Sequence, residues 1–386
     1  MGLSANDDVA VVGVGIHPFG RHPGVSGLQM AAVAARAALK DAGIAWRDVE
    51  FATGGSDAAG NADTTVAVLG LTGVPFINVR NGCATGGSAL TTAHAMLSAG
   101  AAQTALVVGF DKHPPGAFNP SPEDWGLGSW YGETGLMLTT QFFAMKIQRY
   151  MAEHGISSST LAKVASKAFD NGARNPNAWR RRPLSEDEVR ASKMVNHPLT
   201  QYMFCSPGEG AVALVLARRE RVRSSPHPPV YLRSVAFRTR RFGSFEVFSP
   251  SIALESAPSP TTEAAAAAFE QAGIGPQDVD VAQLQDTESG AEVMHLAETG
   301  LCEHGEQEVL VQSGATRLDG RLPINSDGGC LANGEPIGAS GLRQVHEVVL
   351  QLRGEAGDRQ IAGPHRVGFT QVYGAPGVSA CTVLSR

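Results

Sequence analysis

The amino-acid sequence predicts an α/β fold built from two similar halves. Short apolar runs, such as residues 9–14, alternate with Ala-rich helical segments, such as residues 28–42; this is the pattern of a covered, partly parallel sheet. Residues 41–50 are then echoed by residues 271–280, since both segments carry Ala-Gly-Ile and Asp-Val between an Ala-rich helix and an apolar strand. Because the same junction occurs twice, we predict that one α/β unit has been duplicated.

The remaining elements of the first half follow from apolar runs and from Gly residues that end helices. They are strands at residues 49–52, 76–79 and 104–109, and a helix at residues 84–98 that stops before Gly100. In the second half, residues 323–325 correspond to residues 75–78, and residues 366–372 to residues 104–110. These matches extend the predicted duplication along most of the chain.

One segment has no counterpart in the second half. Residues 121–205 are richer in charged residues and helix formers, and they interrupt the first half before a strand at residues 211–217. A Pro-rich link at residues 224–229 then separates the halves. We therefore predict a first half of residues 1–120 and 206–223, an inserted loop domain of residues 121–205 over the site, and a second half of residues 229–386.

Composition excludes several function classes. With a net charge of -6 and short basic clusters, the chain lacks the charge pattern of a nucleic-acid-binding protein. The amino terminus has no positively charged start before its apolar run, and no apolar stretch reaches membrane-spanning length, so we expect a cytoplasmic protein without a membrane span. The eleven histidines and five cysteines show no metal-ligand spacing, and we expect no metal.

Three motifs carry a family resemblance. Asn81-Gly-Cys-Ala-Thr-Gly-Gly87 opens a helix, Cys205-Ser-Pro-Gly-Glu-Gly-Ala211 ends the insertion, and Asn325 to Gly341 is a long Gly-rich block. With the duplicated halves, they resemble the thiolase family. Its sterol-carrier or lipid-transfer branch is the most similar, because residues 171–177, 184–193 and 205–211 follow the loop domain of that branch in order. The resemblance implies a five-layer αβαβα fold, coenzyme A as substrate or product, a homodimer, and a possible small partner protein with an OB-fold and a zinc ribbon.

Cys83 is the predicted nucleophile. A thiol just ahead of a helix is exposed to the positive end of the helix dipole, which favours the thiolate that attacks a thioester. The small neighbours Gly86 and Gly87 are expected to let a thioester and backbone donors approach closely. A buried structural cysteine is the alternative reading of Cys83, and it is our reading of the other four cysteines.

The proton-handling positions depart from the family pattern. Alignment on the motifs places Glu335 where the family has the histidine of a His-Pro pair, Gln285 where the sterol-carrier branch has a histidine, and Gln371 where a second cysteine or histidine falls, with Tyr373 close by. Glu335 is either a replacement base or an N-cap or loop-stabilising carboxylate. Gln285 either donates to a thioester oxygen or makes an ordinary polar contact, and Tyr373 is either an acid or a packing residue.

Two groups of arginines are candidates for binding the phosphates of coenzyme A, because guanidinium pairs well with phosphate. They are Arg180, Arg181 and Arg182 in the insertion, and Arg241 after the link; the alternative is that they are solvated surface charges.

The predicted function is that of a thiolase-like acyltransferase acting on a bulky acyl-CoA through a Cys83 acyl-enzyme, in lipid, steroid or aromatic acyl-CoA metabolism. The alternatives are a retro-aldol carbon-carbon lyase, whose relatives carry tyrosines at the positions of Gln285 and Glu335, and a non-catalytic acyl-CoA-binding subunit.

Overall fold

The structure is a computed structural model that describes residues 9–116, 118–222, 226–244, 257–375 and 377–386. The amino-terminal residues 1–8 and the start of the predicted Pro-rich link, residues 224–225, lie outside this described part. The strands are β1 Val9–Gly20, β2 Phe51–Gly55, β3 Phe76–Asn78, β4 Thr104–Lys112, β5 Met194–Asn196, β6 Leu199–Thr200, β7 Glu209–Arg218, β8 Val230–Thr239, β9 Val281–Leu284, β10 Val367–Gly374 and β11 Val378–Ser385. The α-helices are α1 Gly27–Ala42, α2 Thr65–Leu69, α3 Thr85–Ser98, α4 Trp130–Glu133, α5 Thr139–His154, α6 Ser158–Ala173, α7 Glu186–Ala191, α8 Arg219–Val222, α9 Pro260–Ala272, α10 Ser289–Glu298, α11 Gln307–Gln312, α12 Gly329–Asn333 and α13 Ile337–Arg353.

The duplication is visible in the strand order. The first half contributes β3-β2-β4-β7-β1 and the second contributes β8-β11-β10-β9. In both halves a parallel pair, β2 with β4 or β9 with β10, continues into two antiparallel strands. The strands of the two halves are joined by a short pairing of β1 with β8, in which Ala10 pairs with Tyr231 and Val11 with Val230. The predicted duplicated α/β fold is therefore confirmed.

The match of residues 75–78 with residues 323–325 is confirmed by hydrogen bonds. Ala52 N–H donates to the Pro75 carbonyl at 2.9 Å, and Ala282 N–H donates to the Pro323 carbonyl at 3.0 Å. The predicted strand at residues 49–52 starts too early, because Trp46–Asp48 forms a 3₁₀ turn and Val49 N–H bonds back to Trp46; β2 begins at Phe51.

Five layers result from where the helices pack. Helix α1 covers the outer face of the first-half strands and α9 covers that of the second-half strands, while α3 and α13 lie between the two sets. Leu90 of α3 and Leu342 and Val345 of α13 are buried with Val107 and Leu214 of the first-half strands in the central core. The two helices that follow the Asn81–Gly87 motif and the start of the Gly-rich block are thus packed against strands of both halves.

The insertion packs mainly against the second half. Its helix α6 contacts α10, α11 and α12, and Lys167 of α6 forms a buried ion pair with Glu292 of α10. Asn171 donates to the Asn325 carbonyl at 3.0 Å.

The domain limits given above stay a prediction. No described helix has the length and apolar character that crossing a bilayer requires.

Candidate active site

Cys83 lies in a tight loop between β3 and α3. Gly82 has φ +53, a backbone angle that suits glycine, and its carbonyl accepts from the Thr85 N–H at 2.9 Å and from the Thr85 hydroxyl at 2.6 Å. The Thr85 hydroxyl also accepts from the Asn81 N–H at 2.9 Å. The Asn-Gly-Cys-Ala-Thr sequence thus ties the loop to the first turn of α3 and leaves the Cys83 side chain partly exposed.

Cys83 faces a cavity of about 690 Å³ between the halves and the insertion. The cavity is lined by Asp57, Arg80, Asn81, Gly82, Cys83, Phe118, Asn119, Pro120, Asp124, Thr139, Phe142, Phe143, Thr287, Glu335, Ile337, Ala375 and Val378. A second chamber of about 430 Å³ shares Phe118, Thr139, Phe143 and Thr287 with it and is also lined by Cys205. An apolar wall from residues 118–143 therefore faces the predicted nucleophile.

Glu335 is fully buried beside Cys83. Its carboxylate accepts hydrogen bonds from the Gln285 amide and, at 3.3 Å, from the Cys205 thiol. Its backbone is held as well, because its N–H donates to Ser206 at 2.9 Å and its carbonyl accepts from Gly208 at 3.2 Å. The side chain is fixed with its charge directed at the cavity.

The N-cap reading of Glu335 is wrong, while its readings as a base and as a loop-stabilising carboxylate stay predictions. Helix α13 begins at Ile337 with Pro336 as its N-cap residue and without a side-chain cap bond from that residue. The amide groups at its start are instead satisfied from the first half, where Asp111 accepts from Gly338 N–H at 2.7 Å and His113 accepts from Ile337 N–H at 3.4 Å. Glu335 is thereby left free to interact with thiols.

The electrostatics at Cys83 differ from the sequence-based expectation. Burial, followed by the nearby Glu335 carboxylate, raises the pKa of the Cys83 thiol well above its usual value. The expected helix-dipole stabilisation of a thiolate is outweighed, because desolvation and a neighbouring negative charge both disfavour the anion. At rest, Cys83 is therefore a protonated thiol with the Glu335 carboxylate next to it.

Gly86 and Gly87 are occupied by packing against the second half, and the approach of a thioester past them stays a prediction. A Cβ atom on Gly86 would lie 2.8 Å from the Leu342 nitrogen of α13, and one on Gly87 would lie 2.4 Å from the Ala380 Cβ of β11. These glycines allow α3 to pack closely against the second half. They set the position of Cys83 through packing.

Gln285 and Gln371 form a chain behind Glu335. Gln285 donates through its side chain to Glu335 and to the Thr287 hydroxyl, and its N–H donates to the Gln371 side-chain oxygen at 3.1 Å. The Gln285 side-chain oxygen is buried and has no hydrogen-bond partner among the described residues. The structure therefore joins Gln285 to Cys83 and Glu335, and places Gln371 one step farther from the cavity.

Tyr373 and the predicted arginines lie outside the cavity lining. Tyr373 is buried, with the Lys146 ammonium 4.8 Å from its ring centre. Arg180 donates to Leu331 and Ser206. The remaining arginines are exposed: Arg181, Arg182, which pairs with Glu188 at 2.8 Å, and Arg241, which pairs with Glu263 at 2.8 Å. Their phosphate-binding role stays a prediction.

Sequence reasoning missed Cys205 and Arg80. Cys205 was interpreted as structural, yet its thiol bonds to Glu335 and lines the second chamber. Arg80 lies at the cavity and pairs with Asp57 at 3.0 Å. The position of Cys205 at the head of a matched motif was the one available signal.

Within the described ranges, no cluster of three or more His, Cys, Asp or Glu side chains is arranged to hold a metal ion.

Comparisons with known proteins agree with this architecture. Residues 9–182 match the family described as "Thiolase, N-terminal domain" and residues 251–386 match "Thiolase C-terminal domain-like". The chain is 32% identical to an acetyl-CoA acetyltransferase of Methanothermobacter thermautotrophicus over 98% of this chain and 100% of that protein. It is 32% identical to sterol carrier protein 2 of Oryctolagus cuniculus over 97% of this chain and 71% of that protein.

A solved structure is also similar along the whole chain. The protein described as "Ltp2-ChsH2(DUF35) aldolase" superposes with a TM-score of 0.88 at 25% identity, covering 99% of this chain and 98% of that one. Since both halves match thiolase domains and full-length relatives exceed 30% identity, this chain belongs to the thiolase family of acyltransferases, in its sterol-carrier thiolase-like branch.

Proposed function

We propose that this chain transfers acyl groups from a bulky acyl-CoA through a thioester on Cys83. The observation that supports this most is the pairing of Cys83 with the buried Glu335 carboxylate at the wall of one cavity. A thiol becomes a nucleophile when an adjacent base takes its proton, and here a carboxylate stands where relatives have a histidine. Gln285 and the Cys205 thiol hold that carboxylate in place.

The proposed course uses these groups in sequence. Glu335 accepts the proton of Cys83, and the resulting thiolate attacks the carbonyl of the acyl donor. The acyl group is then held as a thioester, and the coenzyme A thiolate that leaves takes the proton from Glu335. The acceptor, a coenzyme A thiol or a carbon nucleophile, gives a proton to Glu335 as it attacks the thioester, and that proton passes to the Cys83 sulfur when the product is released.

The dimensions of the cavity favour a bulky acyl group. Chambers of about 690 Å³ and about 430 Å³ lie side by side, and Phe118, Phe142 and Phe143 form an apolar wall next to Cys83. Apolar and aromatic surfaces of this kind suit lipid, steroid or aromatic acyl groups. Arg80, with 70% of its side chain exposed, supplies a positive charge at the cavity for the phosphates of coenzyme A.

The test is the intact mass of the protein after incubation with acetyl-CoA, octanoyl-CoA and benzoyl-CoA. We expect an acyl adduct on the wild-type chain that is absent from Cys83→Ala. Cys302→Ala removes a thiol outside the site and serves as the matched control, which should retain the adduct. Absence of an adduct with all three donors would contradict the acyl-enzyme, and coenzyme A binding without an adduct would favour a non-catalytic acyl-CoA-binding subunit.

A retro-aldol carbon-carbon lyase is the second candidate. The TM-score of 0.88 to a structure described as an aldolase favours it. Such a lyase needs an acid and a base but no acyl-enzyme, so cleavage of a β-hydroxyacyl-CoA that survives Cys83→Ala would support the lyase over the acyltransferase.

The same relative motivates a proposal about partners. Its description pairs it with ChsH2(DUF35), and we propose that this chain also works with a small separate subunit, of OB-fold and zinc-ribbon type. We further propose a cytoplasmic homodimer. Size-exclusion chromatography with light scattering, on the purified chain and on material co-purified from its native host, tests both assemblies.

A further inference from the structure

The Glu335 carboxylate is shared by two thiols. The Cys205 thiol donates to one carboxylate oxygen at 3.3 Å, and Cys83 interacts with the same side chain. Burial is the largest cause that raises the pKa of each thiol, and the Glu335 carboxylate is the next. Two protonated thiols therefore flank one base.

Cys205 is held firmly in this position. Its N–H donates to the Thr287 carbonyl at 2.9 Å, and the preceding residue, Phe204, forms a bridge to Glu288. On the other side, Pro207 forms a bridge to Glu335 itself. The loop that carries Cys205 is thus tied to the second half both before and after the thiol, which is the rigidity expected of a group that transfers protons.

Cys205 is also accessible from the space that a substrate would occupy. It is partly exposed and lines the second chamber, which meets the Cys83 chamber at Phe118, Phe143 and Thr287. An acyl-CoA bound at Cys83 with its chain directed into the second chamber would pass this thiol. Cys330, by contrast, is fully buried.

The side chain at the family's usual second acid-base position is already hydrogen-bonded. Gln371, at the position where the family has its second cysteine or histidine, is buried and bonded to Gln285, Thr261 and Ser379. The buried Gln285 oxygen next to Glu335 lacks a partner among the described residues. A hydrogen-bond donor on a bound ligand would satisfy this oxygen.

We propose that Cys205 is a catalytic residue, the acid and base that exchanges the proton on the α-carbon of the acyl-CoA. This assignment rests on the proposed function, in which Cys83 carries the acyl group. When the bond between the α-carbon and a 3-keto group breaks, its electron pair stays on the α-carbon as an enolate. Cys205 gives its proton to that carbon and becomes a thiolate, which regains a proton from the incoming coenzyme A thiol. In the condensing direction, the thiolate of Cys205 removes the α-proton.

The test separates proton transfer from acylation. Exchange of the α-protons of acetyl-CoA and phenylacetyl-CoA in D₂O is followed by NMR for wild type, Cys205→Ala, Cys205→Ser and Cys83→Ala. We expect Cys205→Ala to slow exchange by about 100-fold or more, because a positioned acid-base group contributes about 10²- to 10⁴-fold, and to slow exchange far more than it slows adduct formation on Cys83.

Cys205→Ser separates a chemical role from a structural one. A serine hydroxyl keeps a donor for Glu335 but is a much weaker acid, so exchange stays slow although Glu335 remains held. Cys302→Ala is the matched control and should exchange at the wild-type rate. Circular dichroism and thermal unfolding establish that each variant is folded.

Each outcome is decisive for Cys205. Exchange at the wild-type rate in Cys205→Ala, recovery of exchange in Cys205→Ser, or no exchange by the wild-type chain would overturn the assignment. Exchange that depends on Cys205 in a chain that forms no adduct would overturn the Cys83 acyl-enzyme and leave the role of Cys205 standing.

Discussion

Each half of the molecule has a cysteine near the start of a helix after the same type of strand end, but the two thiols have opposite surroundings. Cys83 of the first half is partly exposed and lines a cavity. Cys330 of the second half is fully buried in α12; its N–H donates to Asp286 at 2.6 Å and its sulfur lies 3.8 Å from the Arg343 guanidinium. Duplication thus produced one open position and one filled position.

Buried charged side chains surround Cys330 and distinguish its environment from that of Cys83. Arg343 is buried and paired with Asp327, and Asp286 lies beside them. This ionic group packs against Cys330, whose side chain is fully buried. In the first half, Cys83 lies instead at a cavity that the insertion lines with Phe118, Phe142 and Phe143. The comparison predicts reactivity in the first half and a stabilising role in the second.

The largest effect is expected from Glu335→Gln, which tests the open position. Loss of the base should slow acylation of Cys83 by about 10²- to 10⁴-fold, measured by quenched-flow mass spectrometry. The same change removes a negative charge that raises the pKa of Cys83, so the pKa of the thiol falls and its alkylation by iodoacetamide at pH 8 speeds up. Asp286→Asn, a matched change at the filled position, should leave acylation within about threefold.

Opposite shifts in the two rates are the signature of a base. A Glu335→Gln variant that loses both acylation and alkylation reactivity would indicate a structural role for Glu335 instead.

The next largest effect is expected from Arg343→Met, which tests the filled position. Removing one partner leaves buried carboxylates uncompensated and should lower the free energy of unfolding by about 3–5 kcal/mol. Adding Asp327→Asn should recover part of that loss, because the uncompensated charge is removed with its partner. Urea unfolding of the single and double variants measures both. A single variant as stable as wild type would contradict the stabilising role of this group.

A smaller difference is expected between the two thiols themselves. Peptide mapping after iodoacetamide treatment of the folded chain should show Cys83 modified about 100-fold faster than Cys330, since the buried thiol reacts through local opening. Because the pKa of Cys83 is raised, its rate should continue to climb as the pH rises from 7 to about 9. Equal rates of modification for Cys83 and Cys330 would contradict the assignment of an open position to one and a filled position to the other.

The smallest effect is expected at the mouth of the open position. Arg80→Ala should weaken binding of coenzyme A about fivefold at low salt and less at high salt, because the interaction is a partly solvated charge pair. Arg181→Ala is the matched comparison, and isothermal titration calorimetry measures both. A larger loss of coenzyme A affinity in Arg181→Ala than in Arg80→Ala would instead support phosphate binding by the arginines predicted from the sequence.

The sequence by itself determined the fold class and the duplication, and it selected Cys83 as the candidate nucleophile. Each depends on signals within a few residues of one another: the periods of strands and helices, the repeated junction at residues 41–50 and 271–280, and a cysteine with glycines before a helix. Such signals can be recognised in the sequence because short-range hydrogen bonds create the local structure. The bonds of Thr85 with the Cys83 loop are an example.

Only the tertiary structure decided how the site is assembled. Cys205 and Glu335 are 130 residues apart in the chain, and their contact depends on how the insertion and the second half pack. The same packing directs Glu335 away from the start of α13, buries Gly86 and Gly87 between helices, and raises the pKa of Cys83. Burial and the approach of distant charges are properties of the packed chain, and a local sequence pattern does not specify them.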